Sequence, residues 1–220
     1  MSPLDNPVKP ETALPSPGPA ALCVYEMRPL LTDAQRAEAG ALVEDRRSWL
    51  AGRGVPLPGS FEGVPALFRE ERHQSVGLFE DDALLGCLIL DREADLGHWG
   101  RHGARRSLFL GHVHTLPERP DNIVRLITLW ASDYAARYNI PYVRAEVPAG
   151  HGPRVATAES LLSNLQDMGW EHCGTGTGTN GEPVTRLELR ADPHLRLTPL
   201  ILCTVPFPAQ ALSGHDRSTS

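Results

Sequence analysis

Three side chains that can accept a proton lie on two apolar segments of this chain. His112 and His114 belong to the run 108–116, and Glu146 belongs to the run 142–147. Residues two apart on a strand point to the same face, so the two imidazoles are expected to lie together. A neutral imidazole or a desolvated carboxylate can take a proton from an attacking ammonium group. The pattern therefore favours His112, His114 and Glu146 as candidate catalytic bases.

Each candidate also has a simpler structural interpretation. The two histidines could be partly buried and hydrogen-bonded. Glu146 could form an ion pair with Arg144 on the same face of its strand, or it could be a charge at the sheet edge. The H-x-H spacing of His112 and His114 suits zinc, but no third ligand has a convincing spacing. We therefore predict no metal.

Two further stretches are rich in residue types found at binding sites. Trp99, His98 and the Arg101/Arg105/Arg106 cluster could bind an anionic or aromatic ligand, although such a loop is more often simply solvated. The glycines at 174, 176 and 178 do not fit a dinucleotide fingerprint, which must run from a strand into a helix. They lead instead to a turn, so we predict flexible strand residues near a substrate mouth.

The candidate bases belong to a strand–helix–strand unit. Segments 108–116 and 142–147 are predicted as strands, and the apolar stripe of 123–138 predicts a helix between them. Such a unit is a βαβ crossover with both strands in one sheet. Free N–H groups and the helix dipole make the start of this helix a natural anion site. In the connection, Arg119 and the cap-like Asn122 favour an anion.

The remaining segments complete a mixed α/β chain. Thr32 and Gln35 form a capping-box pattern that opens a long first helix. Asn180-Gly181 is a strong hairpin turn signal. The other elements are predicted as strands at 21–27, 74–79, 84–91, 171–179 and 184–191, and helices at 64–71 and 157–168.

Composition bounds the class of protein. The formal net charge of −6 argues against a chain that coats nucleic acid. Four widely spaced cysteines favour buried, reduced thiols, and no apolar run approaches the length of a membrane span. We predict a cytoplasmic protein with a disordered proline-rich leader at 1–20, one domain at 21–191 and a tail at 192–220 that is partly packed and then disordered. The apolar piece 195–207 could pack on the body or form a homodimer surface.

In the order and spacing of these elements, residues 21–191 resemble the GNAT superfamily of N-acyltransferases. SVGLFEDDALLGCLIL is similar to the second and third strands of that family, SLFLGHVHTL to its fourth strand, and ITLWASDYAARYNIPYVRAEVP to its third helix and fifth strand. LLSNLQDMGWEH is similar to its fourth helix and the Gly-aromatic turn. The resemblance implies a mixed, mostly antiparallel central sheet with helices on both faces and a splayed fourth and fifth strand pair.

The resemblance also implies a reaction. In the family, the pantetheine arm of acetyl-CoA lies between the splayed strands, and its pyrophosphate lies on the start of the third helix. The matching residues of this chain would then bind the acetyl-CoA co-substrate while a small-molecule amine attacks the thioester. Those residues are Val113, Thr115, Arg119, Asn122, Ile123 and Val124.

This sequence departs from the family pattern at two places. The pyrophosphate segment 117–124 contains two prolines and no glycine, and Leu165 stands where many members have a tyrosine that protonates the leaving thiolate. These departures leave two alternatives open. One is another acyl donor, such as an aminoacyl-tRNA or a carrier-bound acyl group, and the other is a non-catalytic binding module.

Overall fold

The computed structural model describes residues 25–54, 59–117, 120–149 and 155–206. The strands in this part of the chain are β1 (Tyr25–Pro29), β2 (Ser75–Glu80), β3 (Ala83–Asp91), β4 (Ser107–Thr115), β5 (Tyr142–Pro148), β6 (Glu171–Thr177), β7 (Pro183–Arg190) and β8 (Ile201–Cys203). The α-helices are α1 (Asp33–Gly52), α2 (Val64–Arg69), α3 (Pro120–Arg137) and α4 (Val155–Asp167). Two 3₁₀ helices, Gly59–Gly63 and Gly97–His102, lie between them.

The described strands form one sheet in the order β6-β7-β5-β4-β3-β2-β1-β8. The pairs β4–β5 and β1–β8 are parallel, and the other neighbours are antiparallel. The mixed, mostly antiparallel sheet predicted from the sequence is therefore confirmed. β8 comes from the 192–220 tail, so this part of the tail extends the sheet beside β1.

Helices pack on both faces of the sheet, as expected. One apolar cluster joins α1 and α2 to β2 and β3, and a larger one joins α3 and α4 to the strands from the opposite face. Trp130 is the largest fully buried side chain of the larger cluster, which also buries Leu197, Ile201 and Val205 of the tail. Burial of this apolar surface holds the tail on the body of the protein.

Local sequence signals fixed several helix ends. The Thr32 hydroxyl accepts a hydrogen bond from the Gln35 N–H at 3.2 Å, and the Gln35 side chain accepts one from the Thr32 N–H at 3.1 Å. This reciprocal pair is the predicted capping box. Asn139 and Gly169 adopt positive φ angles of 55° and 94° just after α3 and α4, where a left-handed residue ends a helix.

Some predicted boundaries were wrong. α3 starts at Pro120 rather than at Ile123, because proline suits the first helical position, where its missing N–H needs no partner. β1 runs on through Pro29, paired with Val76 of β2. The predicted leader at 1–20 and residues 21–24 of the predicted first strand lie outside the described residues.

None of the described helices combines the length and apolarity that crossing a bilayer requires.

Three leucines of the tail region have exposed side chains. Leu195 is 91% exposed, Leu200 40% and Leu202 47%. A homodimer through this tail remains a prediction from the sequence.

Gly86 of β3 lets α3 approach the sheet closely. A Cβ atom at this position would lie 3.0 Å from the carbonyl oxygen of His114 on β4 and 3.1 Å from Cγ2 of Ile123 on α3. Both neighbours are held by packing, since His114 and Ile123 are buried. The absence of a side chain here therefore sets the position of the α3 start against β4.

We expect Gly86→Ala to lower the free energy of unfolding by about 1–3 kcal/mol, because the new methyl overpacks this contact. Chemical denaturation measures the change. Gly52→Ala in α1 is the control, since a Cβ there meets nothing within 4 Å and alanine favours a helix. If Gly86→Ala is as stable as the parent or more stable, the missing side chain at Gly86 does not set the position of α3.

Candidate active site

β4 and β5 separate partway along their length. They pair in parallel from Ser107–Tyr142 to Leu110–Ala145. Beyond that point β4 stays with β3, and β5 stays with β7 as far as Pro148. The two strands therefore open into a V, and the predicted splayed pair is confirmed.

A β-bulge in β4 lies where the strands part. His114 pairs with Cys87 of β3 and Gly111 pairs with Ile89, so His112 and Val113 together oppose the single residue Leu88. His112 takes a positive φ of 50°, a left-handed conformation that is uncommon for residues other than glycine. An extra residue of this kind bends a strand and increases its twist. The bulge therefore turns the end of β4 away from β5.

The bulge also corrects the expectation that His112 and His114 follow regular strand alternation. Gly111 and His114 are three residues apart, yet they pair with Ile89 and Cys87, which both pack in the α1–α2 cluster. Residues 111 and 114 therefore share the face of the sheet toward α1 and α2. Both histidines still line the same cavity.

A cavity of about 680 Å³ fills the V and reaches both faces of the sheet. Its volume is within the range of small-molecule sites. On the α1–α2 face the cavity is lined by Phe61, Val64, Leu67 and Ile89. On the α3–α4 face it is lined by Val124, Ile127, Thr128, Leu161, Leu165 and Trp170. At the β6–β7 hairpin it is lined by Gly178, Thr179, Asn180, Glu182 and Val184. Of the predicted glycine stretch 174–178, Gly178 therefore lies at the cavity.

The open edge of β4 presents a backbone donor to the V. The Leu116 N–H donates to the Leu85 carbonyl of β3 at 2.8 Å. Successive N–H groups of a regular strand point to opposite neighbours, so the N–H of Thr115 points away from β3. It faces the open side of the V, where a ligand with amide groups could pair with it.

His114 is a wall of the cavity rather than an accessible base. Its ring makes edge contacts with Phe61 and Phe68, at centroid distances of 5.2 and 6.1 Å, and it is 6% exposed. Burial lowers the pKa of His114 to about 3, with further contributions from His112 and Arg46. Its buried Nε2 has no hydrogen-bond partner among the described residues. The imidazole is therefore neutral at ordinary pH and a weak base.

His112 is better placed to exchange protons with a ligand. Its side chain is half-buried at the cavity. Burial lowers the pKa of His112, and the neighbouring His73 lowers it further. The neutral, proton-accepting form is therefore favoured at neutral pH.

Glu146 is held on the opposite arm of the V by the 3₁₀ helix Gly97–His102. Its Oε1 atom lies 2.6 Å from His98 Nε2 and accepts a hydrogen bond from the Trp99 indole N–H at 2.7 Å. The Thr179 N–H donates to Oε2 at 3.4 Å. These partners could not be predicted from the sequence, because nothing in the spacing shows that a segment nearly 50 residues earlier folds over β5.

The alternative of an ion pair between Glu146 and Arg144 is wrong. Arg144 is fully buried and donates to Glu188 of β7 through Nε at 2.9 Å, with Nη2 at 2.8 Å from the same oxygen. Its guanidinium lies 5.3 Å from the Trp99 ring centroid. The segment around Trp99 is therefore not a solvated loop, since Trp99 is 4% exposed.

The predicted co-substrate residues are partly brought together. Val113 and Val124 line the cavity. Thr115 and Ile123 are buried beside Gly86, so only their backbone groups are available, and Asn122 is exposed at the start of α3. Arg119 lies outside the described residues.

A cation that sequence analysis missed lies next to this helix start. Arg46 of α1 donates a hydrogen bond to the Pro117 carbonyl at 3.5 Å. Burial lowers the pKa of Arg46, and Arg53 lowers it further. Within the described residues this guanidinium has no carboxylate partner. In sequence it resembled any helical arginine, and only the packing of α1 against β4 shows its place.

The architecture matches solved structures at low sequence identity. An acetyltransferase of the GNAT family from Listeria monocytogenes 4b F2365 is 13% identical over 76% of this chain and 94% of that chain, with a TM-score of 0.55. A putative GNAT acetyltransferase from Desulfovibrio desulfuricans is 13% identical over 77% and 100%, with a TM-score of 0.54. An aminoglycoside 6'-N-acetyltransferase complexed with coenzyme A is 12% identical over 76% and 98%, with a TM-score of 0.50.

This chain has the GNAT fold. No protein-family model and no curated protein matches its sequence. The GNAT fold accounts for the element order and for the V between β4 and β5.

The environment of His114 predicts a pH-dependent stability. Its pKa is about 3 in the folded protein against an ordinary value of 6.5, so between these values only the unfolded chain binds the proton. The contribution of neutral His114 to the free energy of unfolding is therefore fully present above pH 6.5 and is lost as the pH falls toward 3. When the pH is lowered from 7 to 5, we expect the free energy of unfolding of the parent to fall by about 2 kcal/mol more than that of His114→Phe. Urea denaturation measures both values.

His172→Gln is the matched control, because it removes an exposed histidine from β6. We expect its stability to follow the parent's pH dependence. The same pH dependence in His114→Phe would contradict the burial of a neutral imidazole at this position.

Proposed function

We propose that this protein is an acetyl-CoA-dependent N-acyltransferase that modifies an amine of a small molecule. The observation that supports it most is the V between β4 and β5, which opens a cavity beside the start of α3. The backbone donor of Thr115, with the Val113 backbone beside it at the cavity, suits the amide-bearing pantetheine arm. The GNAT fold gives the proposal its reaction class.

In the proposed reaction, the free amine attacks the thioester carbonyl carbon. A carbon–nitrogen bond forms, the carbon–sulfur bond breaks, and the thiolate leaves and takes up a proton. The β4 amides can polarise the carbonyl oxygen as negative charge develops on it. Leu165 has no hydroxyl to protonate the thiolate, so solvent or the proton removed from the amine supplies it.

We assign the two arms of the V different roles. His112 on β4 accepts the proton from the amine, because its imidazole is neutral and lines the cavity. Glu146 on β5 attracts and orients the ammonium form, with its carboxylate fixed by His98 and Trp99. His114 shapes the wall. Asp91, Asp95 and Glu182 also line the cavity and outnumber its one arginine, Arg72, which favours a cationic acceptor.

Arg46 could compensate for the missing glycines of the phosphate segment. α3 begins with a proline, so its first turn has one N–H donor fewer for a pyrophosphate. A half-buried guanidinium without a carboxylate partner beside Pro117 is a favourable site for an anion. We therefore assign Arg46 to the phosphates of the donor.

A carrier-bound acyl donor is the second candidate. It presents the same pantetheine arm but no free nucleotide, so it needs less of a phosphate site. The glycine-free, proline-containing segment 117–124 favours this alternative. An aminoacyl-tRNA donor is less favoured, because a chain of net charge −6 offers little of the clustered positive charge that RNA requires.

Removing either proposed catalytic group should abolish most of the activity. We expect Glu146→Gln and His112→Asn each to reduce kcat/KM by about 10²-fold or more in a thiol-release assay with acetyl-CoA and a panel of cationic amines. Asparagine is chosen at 112 because it tolerates the positive φ. The acid limb of the kcat/KM profile should lie below pH 6.5, the ordinary pKa of histidine, since burial lowers the pKa of His112.

Glu38→Gln, an exposed change on α1, is the control and should keep full activity. Melting temperatures of all variants show whether each is folded. Wild-type rates in both site variants would contradict the assigned roles. No turnover with any amine, together with no rise in melting temperature with acetyl-CoA, would contradict the proposed function.

The role of Arg46 can be separated from that of the thioester arm. We expect Arg46→Gln to weaken use of acetyl-CoA about tenfold while leaving use of acetyl-pantetheine unchanged, because the shorter donor lacks the nucleotide phosphates. The neighbouring Arg47→Gln is the control and should affect neither donor. Equal loss with both donors would assign Arg46 a structural role, and a parent enzyme that prefers acetyl-pantetheine would favour a carrier-bound donor.

A further inference from the structure

A second group of chemically reactive side chains lies outside the cavity. Ligand atoms of His102, Cys173 and Glu188 all lie within 4.8 Å of one another. Among the described residues, this is the one group of three or more metal-ligand side chains that approach so closely. A nitrogen, a sulfur and a carboxylate oxygen therefore converge at one point.

Three separate elements bring these residues together. His102 is the last residue of the 3₁₀ helix Gly97–His102, and Glu188 lies on β7. Cys173 lies in a bulge of β6, where His172 pairs with Leu187 and Thr175 pairs with Thr185. Gly174 supplies the positive φ of 100° in this bulge. The sequence spacing of the three ligands gave no signal, because each comes from a different element.

Arg144 fixes the carboxylate at this group. Its Nε and Nη2 atoms both lie within 3 Å of Oε2 of Glu188, at 2.9 and 2.8 Å. The other carboxylate oxygen makes no hydrogen bond within the described residues and is available to a cation. Metal-binding carboxylates are commonly held by such an outer partner, which orients them.

We propose that His102, Cys173 and Glu188 bind a zinc ion. The mixed nitrogen, sulfur and oxygen set is one that Zn²⁺ accepts in tetrahedral sites, with water in the fourth position. At zinc bond lengths the ligand atoms stand roughly 3.5 Å apart, so they must approach one another by up to about 1 Å when the ion binds.

The local charges are compatible with a divalent cation. Glu171 lies opposite Glu188 in the β6–β7 register. A Cys173 thiolate and the carboxylates of Glu171 and Glu188 would together offset the zinc ion and the Arg144 guanidinium. The ion would not replace Arg144 but would share its carboxylate partner.

Zinc here would connect the 3₁₀ helix to the outer hairpin of the sheet. The same short helix carries His98 and Trp99, which hold Glu146 at the cavity. The proposal does not depend on the acyltransferase function, because metal binding and stability test it without any activity measurement.

The test uses the full, tag-free chain, freed of metal with a chelator and then titrated with zinc. We expect micromolar or tighter zinc binding in competition with a chromophoric chelator, and a higher melting temperature with zinc. His102→Ala and Cys173→Ser should each weaken binding by about tenfold or more. Cobalt should give a thiolate-to-metal charge-transfer band that Cys173→Ser removes.

His172→Ala and Cys203→Ser are the matched controls and should bind zinc as the parent does. His102 is exposed, so its alanine variant should fold even if Cys173→Ser does not. No zinc binding by the parent would overturn the proposal. Zinc binding unchanged in both His102→Ala and Cys173→Ser would also overturn it, by assigning the metal to other residues.

Discussion

The bulge at His112 and Val113 is the constraint on which the site depends. It allows β4 to remain hydrogen-bonded to β3 while it turns away from β5 after Leu110 and Ala145. Without the extra residue, the parallel ladder could continue and close the cavity. Histidine in a left-handed conformation carries a local strain, which the pairing on both sides of the bulge holds in place.

The opening persists because its two arms are anchored in different packing environments. β4 is fixed by apolar side chains on both faces of the sheet, and His114 seals its α1–α2 side against Phe61 and Phe68. β5 is fixed by β7 and by the buried Arg144–Glu188 pair beneath Trp99. Closing the V would require one of these environments to be disrupted. A ligand that pairs with the free backbone edge can instead satisfy the exposed amides.

The sequence predicted the fold better than the site. Periodicity and local signals such as the capping box and the Asn180-Gly181 turn fixed most elements, because they act over a few residues. The bulge, the cover of Glu146 by His98 and Trp99, and the position of Arg46 were not predictable, since each depends on contacts between distant segments. The partner of Arg144 was misassigned for the same reason: its own strand offered Glu146, whereas the adjacent strand placed Glu188 closer.

The most direct test of the account is a crystal structure of the protein with acetyl-CoA. We expect the pantetheine arm between β4 and β5, with its amides paired to the backbone of Val113 and Thr115 and its phosphates near the first turn of α3 and Arg46. An empty cavity at saturating acetyl-CoA, or strands paired beyond Leu110 and Ala145, would contradict a thioester site in this fold.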